Sequence, residues 1–597
     1  MNASFLALAW CSEPEAGRLE SAASALRAAG WAEAFAQRGL RVWTRQPSPL
    51  PFAVEDGGAL LLVGRRHPRL PGQPEQPRSD VASRAEAVAQ RLTREWWGSY
   101  VALIGEGGAG TWRVLRDPSG ALDALVWRSG DVYIVASQLE EVPACLWPDE
   151  LALDWDAVSE FVLHPWSAGS RCALAGVRSL VPGELASLDG RSAPVPIWRP
   201  LDWICSDAGP HGPWPRRLRE LVVATVAALV APYEPVLAEV SGGLDSAIVA
   251  AALGAAGLSP RVRTALHYFG DRSDSDERAW AAQVCDHWNL PISCVARSLE
   301  PFDPERDFLP LAQGARPPAA ALDSWRDRQA AAELKAAGAQ AIVTGMGGDA
   351  VFFQMPSALV LSDLLSARGP GALFDPAFPD MARWLRRSVW SVAGEALAGL
   401  RSVRSHAPRS RFAGPRALAS AGGPGHPWLQ HLHLGPPAKS LQMAALAGFQ
   451  SILGRNRRSA AAAVIHPLLA QPVVELCLAI PTYQHVAGGR DRALARRAFE
   501  GLLPAAVLDR RSKGELTSHF SRRAAASLEH LRPWLLDGAL VRAEVLDRKA
   551  VDLALRSDAL IQRADGLALI SAAAVEAWVR WWQSQIPDAR SAPRRLG

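Results

Sequence analysis

Ser241-Gly242-Gly243-Leu244-Asp245-Ser246 separates two strongly patterned stretches. Before it, EPVLAEV (234–240) is an apolar run of strand length; after it, AIVAAALGAAG (247–257) reads as a helix. A strand that turns through two glycines into a helix is a natural opening for a parallel α/β sheet. Ligands of such sheets gather beyond the carboxyl ends of the strands. Paired glycines allow a tight turn and a close approach of backbone to ligand. Ser241 and Ser246 offer hydroxyls, and a helix starting here turns free N–H groups toward an anion. An aspartate in an anion cradle is repelled by phosphate unless it holds a metal, so Asp245 points to Mg2+ bridging to phosphate oxygens. The plainer reading is a helix cap, since Asp and Ser both cap well. No Lys-Ser/Thr pair follows the last glycine, which excludes the nucleotide loop built on that pair.

Downstream, strand and helix alternate: RVRTALHYF (261–269), SDERAWAAQVCDHW (275–288), ISCVARS (292–298), DSWRDRQAAAELKAAG (323–338) and AQAIVTGMGGD (339–349). The alternation predicts a parallel sheet covered on both faces. Upstream, Leu218, Leu221, Val222, Thr225, Val226 and Leu229 form one helical stripe. Residues 365–440, rich in Pro, Gly, Ser and Arg, are expected to be irregular, and the remainder to be mostly helical through ISAAAVEAWVRWW (570–582). Residues 1–205 read differently. FLALAW, GALLLVG, GSYVALIG, TWRVLRD, ALVWR and VYIVAS are short strands divided by turn residues, which fits a sheet-rich α+β or sandwich fold, and CSDAGPHGPWP (205–215) reads as a linker.

Composition narrows the function. The 597 residues are 49% hydrophobic and 21% charged, which excludes a disordered or fibrous chain. A net charge of +4 carries no nucleic-acid footprint. The seven cysteines are scattered and form no CxxC, so neither a disulfide framework nor a zinc site is expected, and a reducing cytoplasm is. No apolar run reaches about 18 residues, so no membrane-spanning helix is expected. MNASFLALAWC lacks a basic leader and carries the bulky Trp10, so it reads as a first strand with Cys11 buried in its pattern, not as a signal or lipid anchor. Of 64 basic side chains only Lys335, Lys439, Lys513 and Lys549 are lysine; the rest are arginine. Against that background a lysine that persists has a raised chance of a role arginine cannot fill. Three patterns are set aside. Gly105 to Gly110 satisfies GxGxxG but leads into a strand, so it reads as a hairpin turn. His426, His431 and His433 lack metal-ligand spacing, and Trp581 and Trp582 read as core.

SGGLDS resembles the pyrophosphate loop of ATP pyrophosphatases, which implies cleavage of ATP between the α and β phosphates and adenylation of a carboxylate. Thr344-Gly345-Met346-Gly347-Gly348-Asp349 resembles the second motif of the asparagine synthetase superfamily, which implies Asp349 as a second Mg2+ ligand beside Asp245. Arg510-Arg511-Ser512-Lys513-Gly514, after RALARRAFEGLLPAAVLD (492–509), resembles the superfamily's basic segment and implies Lys513 as the catalytic lysine near the α-phosphate. A fixed ammonium stabilises negative charge developing there. Lys439 is a weaker second candidate. HPLLAQPVVELCLAIP (466–481) and SDERAWA (275–281) also resemble the superfamily; Asp276, Glu277 and Arg278 read equally as substrate-adjacent or as helix caps. LRDPSGALDALVW, VYIVAS, GVRSLVPGELASLDG and IWRP resemble its glutamine-hydrolysing domain. That domain needs a cysteine at residue 2, where this chain has Asn2, and an Asn-Gly-Glu run, where it has LLLVGRRHP (60–68).

The resemblance implies an α+β amidotransferase-like (Ntn-type) sandwich over 1–205 that has lost ammonia production. Over 206–597 it implies an α/β ATP-pyrophosphatase (adenine nucleotide α-hydrolase-like) parallel-sheet domain with a helical C-terminal part. The nucleotide site comprises Ser241, Gly242, Gly243, Leu244, Asp245, Ser246, Gly345, Gly347 and Gly348; Asp245, Asp349 and Lys513 carry the chemistry with ATP and Mg2+. Within the superfamily, asparagine synthetases place a glutamate and β-lactam synthetases a tyrosine where this chain has Met346, and a thioether supplies neither chemistry. The chain resembles lasso-peptide cyclases in its degenerate first domain, Gly64-Arg65, the GxGGD form of the second motif and Ser-Lys-Gly at 512–514. That resemblance implies a ribosomal precursor peptide as substrate, with a leader peptidase and a leader-recognition protein as partners. Residues 383–416, bearing arginines, are a candidate peptide contact or a solvated basic loop. The alternatives are a β-lactam synthetase-like or other glutamine-independent amide ligase, and an inactive peptide-binding scaffold.

Overall fold

The computed structural model describes residues 4–586, apart from 13, 16, 46–49, 77–79, 107–110, 165–171, 191, 205–212, 273–274, 320–321, 402–409, 421–424, 512–513, 515 and 564. The amino-terminal strands form two six-stranded sheets packed face to face. Period-2 alternation drives the packing. Phe5, Ala7 and Ala9 of the first strand face Val101, Leu103 and Val114 across the sandwich. Leu6 and Leu8 turn to the opposite side, so the strand is buried on both faces. Tyr100, Ala102 and Ile104 likewise turn outward beneath the helix Arg84–Glu95. The strands flanking Gly105 to Gly110, Trp96–Gly105 and Trp112–Arg116, pair antiparallel as a hairpin requires, although 107–110 lie outside the described residues. Cys11 departs from expectation: the strand stops at Ala9, and Cys11 lies in the exposed bend beyond it.

Much of the linker stretch lies outside the described residues, and the chain is helical again from Trp214. The helix Trp214–Val230 buries Leu218, Leu221, Val222, Thr225 and Val226. Five parallel strands follow, in the spatial order Ile292–Ala296, Val262–Phe269, Val236–Glu239, Ala341–Val343, Ala463–Ile465. Val236–Glu239 comes first in the chain and sits in the middle. The next two strands are laid on one side of it and the last two on the other, so strand order reverses between Val236–Glu239 and Ala341–Val343. A crevice opens at such a reversal, beyond the carboxyl ends.

Residues 365–440 are more regular than their composition suggests. Leu359–Arg368, Ala377–Leu385 and Val389–Gly399 are helices, and Pro437 begins another. Leu361, Leu364, Phe378, Met381 and Val392 give them a small core of their own. Proline and glycine here punctuate helices and do not dissolve them. The C-terminal helix Gly566–Gln585 packs on the outer face of the amino-terminal sandwich. Trp578 and Trp582 are fully buried there, and both donate to the Gly314 carbonyl, at 2.7 and 3.0 Å. Among the described residues no helix is long and apolar enough to cross a membrane.

Candidate active site

SGGLDS and TGMGGD leave the carboxyl ends of the two adjacent strands at the reversal, and they touch. In the first loop Gly242 takes a φ of 80°, and a Cβ there would lie 2.9 Å from the Glu277 carbonyl oxygen. Gly243 caps the helix Leu244–Ala255, whose first turn carries Asp245. The Ser246 hydroxyl accepts from the Ser241 N–H at 3.0 Å and donates to the Gly243 carbonyl at 3.1 Å, closing the loop on itself. In the second loop a Cβ on Gly345 would lie 2.5 Å from the Ser246 nitrogen, and one on Gly348 would lie 2.4 Å from the Asp245 carboxyl carbon. Gly347, at φ 92°, lies against Leu469. Glycine is therefore required where one loop presses on the other, beside any need of a ligand.

That contact sets Asp245 beside Asp349. Arg492 Nη1 lies 2.9 Å from Asp245 Oδ2 and 3.4 Å from Asp349 Oδ1, so both carboxylates converge on one cation. Arg492 is buried, has left-handed backbone (φ 50°) and is held from behind by Asp491 at 2.9 Å. Two carboxylates around one positive group fit a Mg2+ site completed by phosphate oxygens, the usual form of such sites. Among the described residues no cluster of three or more His, Cys, Asp or Glu forms an all-protein metal cage. His426 is buried with its Nδ1 accepting from the Trp428 N–H, a structural role.

The three acidic and basic residues of SDERAWA divide. Asp276 and Arg278 pair with each other at the exposed start of their helix, at 2.7 Å. Glu277 instead faces the loop. It accepts the Gly514 N–H at 3.0 Å and pairs with Arg510 at 2.5 Å. Arg510 donates to the Gly242 carbonyl at 3.0 Å and lies 4.1 Å over the Trp280 ring. One flank of the basic segment is thereby tied to SGGLDS directly, and the other to Glu277, whose carbonyl lies against Gly242. Ser512 and Lys513 lie outside the described residues. Lys439 is buried elsewhere, donating to Gln442 Oε1 at 2.7 Å and the Cys477 carbonyl at 3.0 Å inside the helical core. Lys335 and Lys549 are exposed.

Residues that the motifs did not announce complete the surroundings. Glu239, the last residue of the central strand, pairs with Arg458 at 3.0 Å and with Arg326. Burial works to raise its carboxyl, but Arg326 and Arg458 hold it below the ordinary range. His466, at the end of the edge strand, sets Nδ1 2.7 Å from Thr344 Oγ1, which in turn accepts the Met346 N–H at 3.2 Å. Burial and Arg458 push the imidazole down to about 4, so it is neutral near pH 7. His466 and Leu469 also line a cavity of about 790 Å3. It lies between the amino-terminal sandwich, which contributes His67, Ser99 and Gln138, and the edge strand of the parallel sheet. Opposite-charge pairs cross between those walls: Glu140 with Arg455 at 3.0 Å and Asp123 with Arg316 at 2.5 Å.

The family model for asparagine synthase matches residues 217–580, more than half of the chain, and the chain belongs to that family. Membership makes it, at the level of the superfamily, an ATP-dependent ligase of amide bonds. No curated protein matches it.

Proposed function

We propose that this chain is a lasso-peptide cyclase: an ATP- and Mg2+-dependent ligase that closes a macrolactam in a ribosomal precursor peptide freed of its leader. The observation that carries the reading is the 790 Å3 cavity, walled by both halves of the chain and bounded at one end by His466 and Leu469 beside TGMGGD. It is of the size that encloses a sizeable organic ligand. LLLVGRRHP (60–68) in place of the glutamine-binding Asn-Gly-Glu run supports a substrate amine over ammonia from glutamine, and Met346 speaks against the acid or phenol of the superfamily's other branches. In this reading Ser241 to Ser246 with Gly345, Gly347 and Gly348 bind the nucleotide, and Asp245 and Asp349 hold Mg2+, which when bound neutralises charge on the phosphates. Arg492 shares those two carboxylates and balances them. An Asp or Glu side chain of the peptide attacks the α-phosphorus and pyrophosphate leaves. The peptide's N-terminal amine then attacks the acyl carbon, the C–N bond forms, the acyl–phosphate bond breaks as AMP leaves, and the amine's proton passes to water. Lys513 stabilises the charge developing in these steps. Holding amine and acyl group in one peptide makes closure effectively unimolecular. A leader peptidase and a leader-recognition protein would supply the core peptide.

The test is incubation of the chain with ATP, Mg2+, a candidate precursor peptide and a leader peptidase. Expected are AMP and a core peptide lighter by one water, with both products lost in Asp245→Ala and Lys513→Ala. Product formation undiminished in those variants removes the site assignment. Absence of nucleotide binding removes the ligase reading and favours a peptide-binding scaffold.

A further inference from the structure

We propose that the strand Ala463–Ile465 is the peptide-docking edge of this enzyme, and that an extended segment of the substrate binds in the cavity as a sixth strand of the parallel sheet. The proposal rests on the ligase reading above for the identity of the peptide, and on backbone geometry for its placement. Ala463–Ile465 is the last strand on its side of the sheet. Its inner edge is used: Ala463 donates to the Gln340 carbonyl and Ile465 accepts from the Thr344 N–H, both at 3.0 Å, in register with Ala341–Val343. In a parallel ladder alternate residues bond to the same neighbour, so Val464 between them turns its N–H and C=O the other way. That way lies the cavity, which Ala461 to Ile465 line one after another. A strand edge facing solvent is usually blunted or covered. Here the amino-terminal sandwich stands across the cavity from it and leaves room for a further chain.

Two other features fit an extended peptide better than a compact ligand. The cavity follows the strand from Ala339 and Gln340, at the amino end of the neighbouring strand, to His466 and Leu469, at the carboxyl end. A peptide paired over three residues would run about 10 Å along it and deliver one end beside Thr344 and Gly347, in the loop whose Gly345 and Gly348 press on SGGLDS. Across the cavity Gln138 lines the wall with a buried Oε1 that no described group satisfies, an acceptor for a peptide N–H on the far side. Backbone pairing supplies affinity irrespective of side chains, while the cavity walls select them.

Val464→Pro tests the edge directly. Proline deletes the outward N–H, is tolerated at an edge position whose N–H faces away from the ladder, and leaves the bonds of Ala463 and Ile465 in place. The expected result is a KM for the core peptide raised about three- to tenfold, the loss of one hydrogen bond, with ATP binding and melting temperature unchanged. A backbone N-methyl scan of the peptide against the wild-type chain gives a second reading that needs no variant. Strand pairing predicts weakened binding at alternate positions, i and i+2, and little effect between them. A scan that is flat or lacks the two-residue period, or a Val464→Pro chain with unchanged KM and normal folding, overturns the proposal. A wild-type chain that forms neither AMP nor dehydrated peptide refutes the ligase reading instead, a separate outcome.

Discussion

Gly348→Ala puts one methyl group where the two loops meet. The new Cβ would start 2.4 Å from the Asp245 carboxyl carbon and 2.5 Å from its Cβ. Carbon atoms in contact sit about 3.5–4.0 Å apart, so the Asp245 side chain or the loop must retreat by roughly 1 Å. Gly348 opens the short helix Gly348–Val351, and alanine in a helix is otherwise favoured over glycine by about 0.5–1 kcal/mol. The fold should therefore lose little, whereas a displacement of about 1 Å at a reacting centre costs on the order of 100-fold in rate. The assay is peptide-dependent ATP–pyrophosphate exchange beside a thermal melt. The expected result is exchange reduced about 100-fold with the melting temperature moved by a few degrees at most. Gly394→Ala is the control: it lies in the helix Val389–Gly399 with nothing within 4 Å of the added methyl, and should leave exchange unchanged. Exchange by Gly348→Ala within threefold of wild type would refute the claim that the loops are packed to position Asp245.

Arg492→Gln removes the guanidinium between Asp245 and Asp349; the metal-free chain should melt lower than wild type, and added Mg2+ should raise its melting temperature more than it raises that of wild type, as scanning fluorimetry would show. Lys439→Met leaves Gln442 Oε1 and the Cys477 carbonyl short of a buried donor; it should cost about 1–3 kcal/mol of stability while activity per folded molecule is kept, which separates Lys439 from Lys513. Glu475 is buried and accepts from Gln73, Trp198 and Gln471, and burial pushes its carboxyl up to about 7 against the pull of those donors. The folded chain then keeps a proton that the unfolded chain releases, so this group's contribution to stability falls as pH rises from the ordinary carboxylate range to about 7 and is level above it. Glu475→Gln should flatten that part of a stability–pH curve measured by chemical denaturation.

Much of the local geometry around SGGLDS was legible because its signals are local. SGGLDS announces a strand, a turn and a helix within six residues, and Gly242 turns the chain as read, while Ser246, read as a hydroxyl offered to a ligand, also bonds within the loop. What a sequence window cannot hold is contact between windows. Gly345 and Gly348 look like turn residues until Ser246 and Asp245 are found pressed against them. Arg492 was hidden by composition: the scarcity that draws the eye to lysine makes a single arginine invisible, and only the convergence of two carboxylates picks it out. Glu277 reads as substrate contact or cap; its side chain does not cap the helix but bonds to Arg510 and Gly514, more than two hundred residues on. His466 and the edge strand depend on where the fifth strand is laid in the sheet, which no spacing encodes. Proline and glycine misled over 365–440, where they cap and separate helices, and the apolar start misled at Cys11, which lies past the strand's end.

The central claim is that this chain activates a peptide carboxylate at the α-phosphorus of ATP. The direct measurement uses a core peptide whose Asp or Glu side-chain carboxylate carries heavy oxygen, incubated with the wild-type chain, ATP and Mg2+, with both products weighed by mass spectrometry. The account predicts one labelled oxygen in AMP and a cyclic peptide that has lost one labelled water. ADP and phosphate as products, or AMP without label, would contradict it.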